Sequence, residues 1–260
     1  MLNLLDLFSG IGGFSLGLES SGYFQTVAFC ETEPFPRRTL AERFPGVPIF
    51  GDVADLTPSA LAANGVVRVD AICGGFPCQD ISNANAAWGD LAGLDGGRSG
   101  LWREYARCIR DLGPDAVFVE NAAALLGRGL GRVLGDLAAL GYDAEWHCIP
   151  ASAARARHGR DRTWIVAYPM RFGSQRRSEI GDGHAQGLPI LTRGSFARAL
   201  VESDPNGGRW AHEPALDRVV DGVPDRVASI KALGNAVVPL IPEILGRVFG
   251  PKLIEWRAAA

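Results

Sequence analysis

An α/β fold built on one mostly parallel sheet is what this sequence predicts, and three features of the 260-residue chain predict it. Short apolar segments alternate with stretches of helical spacing, and a glycine-rich turn joins the first strand to the first helix. The last two strand candidates follow one another with no helix between them. A helical crossover pairs strands in parallel, whereas a short join implies an antiparallel pair.

Taken in order, "LNLLDLF" (2–8), "TVAFCE" (26–31), "VPIF" (47–50), "VDAIC" (69–73) and "DAVFVE" (115–120) read as strands buried on both faces. Helical spacing lies between them in "SLGLESSG", "FPRRTLAERF" and "GLWREYARCIRDLG". "YDAEWHCI" (142–149) and "TWIVAY" (163–168) bring the sheet to seven strands and form the antiparallel pair at its end. After Tyr168 the composition turns to Gly, Arg, Pro and Asp, with little periodicity beyond "SFARALV". That stretch is either a small second lobe or an insertion that orders on binding. "VASIKALGNAVVPLIPEILGRVF" restores an amphipathic pattern and predicts a C-terminal helix returning to the main body. The expected division is 1–168, 169–227 and 228–260.

Composition narrows the class. Hydrophobic residues make up 47% of the chain and the net charge is −3, as in a soluble globular protein. No apolar run is long enough to cross a bilayer, and "MLNLLDLFSG" lacks the positive start of a secretory signal. Five cysteines without CxxC spacing argue against a disulfide framework and against a zinc site. No metal is expected, and the expected compartment is a reducing cytoplasm. Lys231 and Lys252 are the only lysines, so the cations are nearly all arginine, the side chain suited to bidentate contact with phosphates and base edges.

Chemistry concentrates at the strand ends. In "DLFSGIGGFSLGLE" the glycines at 10, 12 and 13 offer backbone amides at a helix N-terminus. The dinucleotide pattern would want another glycine at 15, where Ser15 stands, so the loop suggests a nucleotide-like ligand without that fingerprint. Glu31 ends the second strand, where an acid can bind ribose hydroxyls, and Asp52 follows the third, where a carboxylate can accept from an adenine amino group. Either acid alone reads as an ordinary helix cap. Together, at successive strand ends, the three features point to one nucleoside site.

"CGGFPCQDIS" places Cys78 beyond a strand on the same rim. From this pattern alone a packed thiol and an activated nucleophile are equally good readings. Cys30, Cys73, Cys108 and Cys148 lie inside predicted strands or helices and read as core. Glu120 in "FVENAAALL" ends the fifth strand, placed for general acid work, with a helix cap as the alternative. Arg160 and Arg162 in "HGRDR", two apart at the start of a strand, send both guanidiniums to one side and would clamp an anion or a base edge, unless they form a solvated edge.

In this order the stretches closely resemble the DNA cytosine-5 methyltransferases. "DLFSGIGGF" resembles the family's first motif, "GGFPCQDIS" its Pro-Cys motif, "VEN" its Glu-Asn-Val motif, "HGRDR" its Gln-x-Arg-x-Arg motif and "ALGNAVVP" its last. The resemblance implies a Rossmann-like S-adenosylmethionine-dependent methyltransferase fold, with a small target-recognition lobe inserted at 169–227. It implies that Phe8, Gly10, Ile11, Gly12, Gly13, Glu31, Thr32, Asp52, Val53, Pro77, Asn235 and Ala236 hold S-adenosylmethionine. Cys78 would be the nucleophile, Glu120 the acid on the pyrimidine ring, and Arg162 with Arg160 the orienting cations. Phe76, Gln79, Ser82, Asn121 and Arg98 would meet the substrate. The implied reaction is methyl transfer to C5 of a cytosine flipped out of double-stranded DNA. The implied setting is bacterial or phage-encoded, cytoplasmic and nucleoid-associated, with the chain a monomer and a cognate restriction endonuclease a possible partner.

The sequence departs from the pattern in places. Ala122 follows Glu-Asn where valine is usual, and His158 replaces the glutamine. "WAHEPALDRVVDGVPDRV" (210–227) stands in place of the penultimate motif, as in compact phage-type members. The recognition stretch is short, and its arginines (Arg171, Arg176, Arg177, Arg193, Arg198 and Arg209) suit contact with a phosphate backbone. The glycine-rich "NANAAWGDLAGLDGGRSGLW" after Cys78 is a candidate loop for closing over DNA. Two rivals remain: the same chemistry on transfer RNA, and a DNA-binding relative without catalysis.

Overall fold

The structure is a computed structural model that describes residues 1–77, 100–156, 158–172, 190–206, 232 and 234–259. Its centre is a seven-stranded sheet of β1 (Leu2–Leu7), β2 (Phe24–Cys30), β3 (Ile49–Phe50), β4 (Ala71–Gly74), β5 (Ala116–Ala122), β6 (Tyr142–Pro150) and β7 (Asp161–Pro169). The strand order is β3-β2-β1-β4-β5-β7-β6. The first five strands are parallel, and β7 runs antiparallel to both β5 and β6. A short 3-10 turn, Ala151–Ala154, lies between β6 and β7, too little chain for a crossover helix.

Helices cover both faces. On one lie α4 (Leu101–Leu112), the short α5 (Leu125–Arg128) and α6 (Leu130–Ala139), which bury Trp102, Tyr105, Val133 and Leu137 against Leu5, Ile72 and Val117. On the other lie α1 (Gly13–Ser20), α7 (Arg193–Ser203) and α8 (Leu240–Ala258), packed through Phe14, Leu18, Ala199, Ile244 and Phe249 onto Leu4, Ala71 and Phe118. The remaining helices, α2 (Pro34–Arg43) and α3 (Pro58–Ala63), follow β2 and β3. Central strands with apolar residues on both faces belong between two helical layers, and β4 is buried throughout. Among the described residues no helix is long and apolar enough to cross a membrane.

Three details differ from the sequence expectation, and each follows from position in the sheet. β3 has only two residues and is half-buried, because it is an edge strand. β6 is the other edge, so Cys148 is exposed rather than core, as is Trp146; Cys30, Cys73 and Cys108 are buried. The antiparallel β7 delivers the chain to the N-terminal ends of the parallel strands. There Arg171 pairs with Asp115 at 2.7 Å, at the far end of the sheet from Glu120.

"SFARALV" forms α7, and that helix is seated on the main body. Thr192 and Ser195 make a reciprocal capping box at its start. Glu145 on β6 accepts from the backbone N–H groups of Ile190 and Leu191 at 2.8 and 3.1 Å. At the other end Arg155 donates to the Asp204 carbonyl at 2.8 Å and to its carboxylate at 3.1 Å.

Candidate active site

The chain leaves β1 toward β2 and β3 on one side, and the sheet continues through β4 and β5 on the other. The carboxyl ends of β1 and β4, where Leu7 pairs with Gly74, therefore flank the crevice where open α/β sheets take their ligands. A pocket of about 520 Å³ opens there.

One end of the pocket is built on the glycine loop. Phe8 sits at φ 54°, a left-handed conformation that costs a bulky residue energy, and its ring stacks on Tyr105. Glu31, buried at the end of β2, accepts from the Gly10 amide at 2.7 Å and from the Glu33 amide at 2.8 Å. A carboxylate has further lone pairs, so these bonds fix its orientation without exhausting it. Asp52 caps a 3-10 turn by accepting from Ala54 N at 2.9 Å, and it lines the same pocket. The cap and the ligand-facing readings of this acid are thus compatible.

Ile11, Gly13, Thr32, Val53, Pro77, Asn235 and Ala236 also line the pocket. Gly12 does not. It holds φ 82° as the N-cap of α1, and a Cβ there would stand 2.9 Å from both Leu40 and Phe44. Its small size serves the packing of α2 behind the loop.

The other end lies at the end of β5. Glu120 is buried, and Arg162 on the neighbouring β7 places Nε 2.7 Å from its Oε1. Burial pushes the Glu120 carboxyl above the usual range, with Arg162 and then Arg160 pulling the other way. On balance the carboxyl holds its proton more readily than a free glutamate does. A Cβ on Gly75 would stand 2.7 Å from Glu120 Oε2, so that glycine lets the loop after β4 pass against the acid. Gly74 has a separate reason, since a Cβ there would run into the Leu7 carbonyl of β1.

Asn121 turns away from solvent and donates to the Phe76 carbonyl at 3.0 Å, while its own oxygen accepts from Ala122 N at 2.8 Å. It props the backbone just before Pro77. Phe76 is buried against Trp102 and still borders the pocket. Arg160 reaches across to the C-terminal segment, donating to the Gly234 carbonyl at 2.6 Å and to that of Ala236 at 3.1 Å.

Sequence reasoning passed over Asp6, which lies 1% exposed in the pocket floor and accepts from Ser15 Oγ at 2.7 Å. Burial drives its carboxyl up to about 7, against the Ser15 hydroxyl and the Cys73 thiol. An aspartate in the middle of an apolar strand was the available signal.

A family model described as C-5 cytosine-specific DNA methylase matches residues 2–186. The chain belongs to that family. The Type II methyltransferase M.Sau3AI of Staphylococcus aureus is 32% identical over 85% of this chain and 56% of its own length. M2.BsuMI of Bacillus subtilis is 32% identical over 64% of this chain and 42% of its own. The chain thus spans about half the length of these curated relatives. The solved structure of the Entamoeba histolytica methyltransferase EhMeth matches in fold, with a TM-score of 0.64 over 96% of this chain and 98% of that one, at 14% identity.

Of the methylase motifs, the Pro-Cys loop is only partly in view. Cys78, Gln79, Ser82 and Arg98 lie outside the described residues, as does the glycine-rich stretch 83–99. The described part of that loop ends at Pro77, on the pocket wall beside Gly75 and Glu120.

Proposed function

We propose that the chain transfers a methyl group from S-adenosylmethionine to C5 of a cytosine in double-stranded DNA. The observation that carries this reading is the junction of the two ends in one pocket. The glycine loop with Glu31 and Asp52 faces the Glu120–Arg162 pair across the backbone that leads into Pro77 and Cys78.

S-adenosylmethionine suits the residues at the first end. A volume of about 520 Å³ admits a nucleoside with an amino-acid arm. Glu31 is held where it can accept from ribose hydroxyls, and Asp52 where it can accept from an adenine amino group. When bound, the cofactor supplies the methyl group in electrophilic form.

The rest falls to the chain's own side chains. Cytosine C5 is a weak nucleophile. The Cys78 thiolate adds at C6, and Glu120 gives a proton or a hydrogen bond to N3, so that negative charge does not build up on the ring. Electron density then reaches C5, which would take the methyl group as its bond to the cofactor's sulfonium sulfur breaks and S-adenosylhomocysteine is left; loss of the C5 proton and expulsion of the thiolate would restore the aromatic ring. Arg162 holds Glu120 in place and offers its remaining donors to the base. Such attack needs the cytosine outside the helix, which is why a single large pocket must take both base and methyl donor.

We assign target recognition to the region 169–227, and a cytoplasmic, nucleoid-associated monomer, with a restriction endonuclease as possible companion, is the setting proposed. Bisulfite sequencing of DNA from cells expressing the chain tests the reading. Methylated cytosines in one sequence context, absent with Cys78→Ser, are expected. Unmodified DNA alongside methylated transfer RNA would move the assignment to RNA.

A further inference from the structure

We propose that Arg160 is a positioning residue of the cofactor end of the pocket: it holds the segment 234–236 so that Asn235 closes the site. The proposal rests on the pocket taking S-adenosylmethionine. By sequence Arg160 pairs with Arg162 as a second cation for the base. The geometry assigns it a different task.

Its Nη1 donates to the carbonyls of Gly234 and Ala236, at 2.6 and 3.1 Å, the two residues either side of Asn235. Between that point and α8 the chain at 236–238 has neither helix nor strand to orient it. A charged donor gripping both flanking carbonyls fixes the direction in which the intervening side chain points. Asn235 and Ala236 both line the pocket.

The segment is also held from the opposite side. A Cβ on Gly13 would stand 2.6 Å from the Val237 carbonyl, so the backbone here lies directly on the first turn of α1. Arg160 itself is anchored, because its carbonyl accepts from Ala151 N at 3.0 Å as the β6–β7 ladder opens. Two residues along, Arg162 grips Glu120. One strand start therefore braces both ends of the pocket: Arg162 the acid at the base end, Arg160 the cap at the cofactor end.

The test is titration calorimetry of S-adenosylmethionine and S-adenosylhomocysteine, without DNA, on the full chain. Loss of two charge-assisted hydrogen bonds predicts that Arg160→Met weakens cofactor binding by about tenfold or more. Arg160→Lys keeps a cationic donor and recovers most of that loss, which separates positioning from a general loss of fold. Since Arg160 acts through Asn235, adding Asn235→Ala to Arg160→Met costs far less than Asn235→Ala costs alone. Wild-type affinity in Arg160→Met, or losses that multiply in full, would overturn the proposal while leaving the cofactor reading intact. If Arg160→Met does not fold, Arg160→Lys takes its place in the same cycle, with a smaller loss and the same non-additivity expected. A wild-type chain that binds neither compound would overturn the cofactor reading and this proposal with it.

Discussion

Glu120 and Arg162 meet across two antiparallel strands, with Nε 2.7 Å from Oε1 and both side chains largely shielded from solvent. Burial raises the Glu120 carboxyl above its usual range, and Arg162 and then Arg160 oppose that rise without cancelling it. A carboxyl shifted in that direction is better suited to donate to a ring nitrogen than an ordinary glutamate.

The pairing and the direction of that shift predict the behaviour of two variants. Glu120→Gln keeps a hydrogen-bonding shape but cannot give a proton, and should lower kcat by roughly 10²–10⁴-fold with cofactor affinity unchanged. Arg162→Met removes the nearest opposing cation, so the Glu120 carboxyl titrates higher still. Its pH–rate profile should show a reduced maximum and an alkaline limb moved to higher pH. An alkaline limb that stays in place would separate it from Glu120.

The paired glycines before Phe76 should separate function from stability. Gly75→Ala puts a methyl group against the Glu120 carboxyl and should cut kcat by about 10–100-fold with little change in melting temperature. Gly74→Ala puts one into the Leu7 carbonyl, in the middle of the sheet, and should cost about 1–3 kcal/mol or more in urea denaturation.

Glu31 orders the glycine loop and faces the pocket, so Glu31→Ala should weaken cofactor binding by about 10–100-fold, read by calorimetry. At saturating cofactor much of kcat should survive, because the base end is untouched.

Asp6 predicts a pH dependence of stability. Its carboxyl keeps its proton up to about 7, while the unfolded chain loses it near 3.8. Between those values the native state holds more protons, so stability falls as pH rises, by roughly 1.4 kcal/mol per pH unit at most, and levels off above 7. Asp6→Asn mimics the neutral form and should lack this slope. Urea melts of both proteins at pH 5 and pH 8 would show the wild type losing ground to the variant as pH rises.

Much of this was legible in the sequence, because it depended on local order along the chain. The missing helix between the last two strands gave the antiparallel pair, and acids at successive strand ends gave Glu31, Asp52 and Glu120 a common rim. What was hidden depended on distant partners. Asn121 binds a backbone carbonyl 45 residues away, and Arg160 binds carbonyls 74 and 76 residues away, so no spacing rule reveals either bond. Gly12 looked like a ligand-facing glycine, yet it makes room for Leu40 and Phe44. Cys148 followed the rule that cysteines in strands are buried, and lost that burial because β6 is an edge.

The central claim is that Cys78 attacks a cytosine held between Glu120 and the methyl donor. Substrate DNA carrying 5-fluorocytosine tests it most directly, because fluorine at C5 cannot leave as a proton does. With S-adenosylmethionine present, the wild-type chain should form a denaturant-resistant protein–DNA adduct whose cross-linked peptide contains Cys78, and Cys78→Ser should form none. An adduct that persists in Cys78→Ser, or methylation of ordinary DNA without any trapped adduct, would contradict the account.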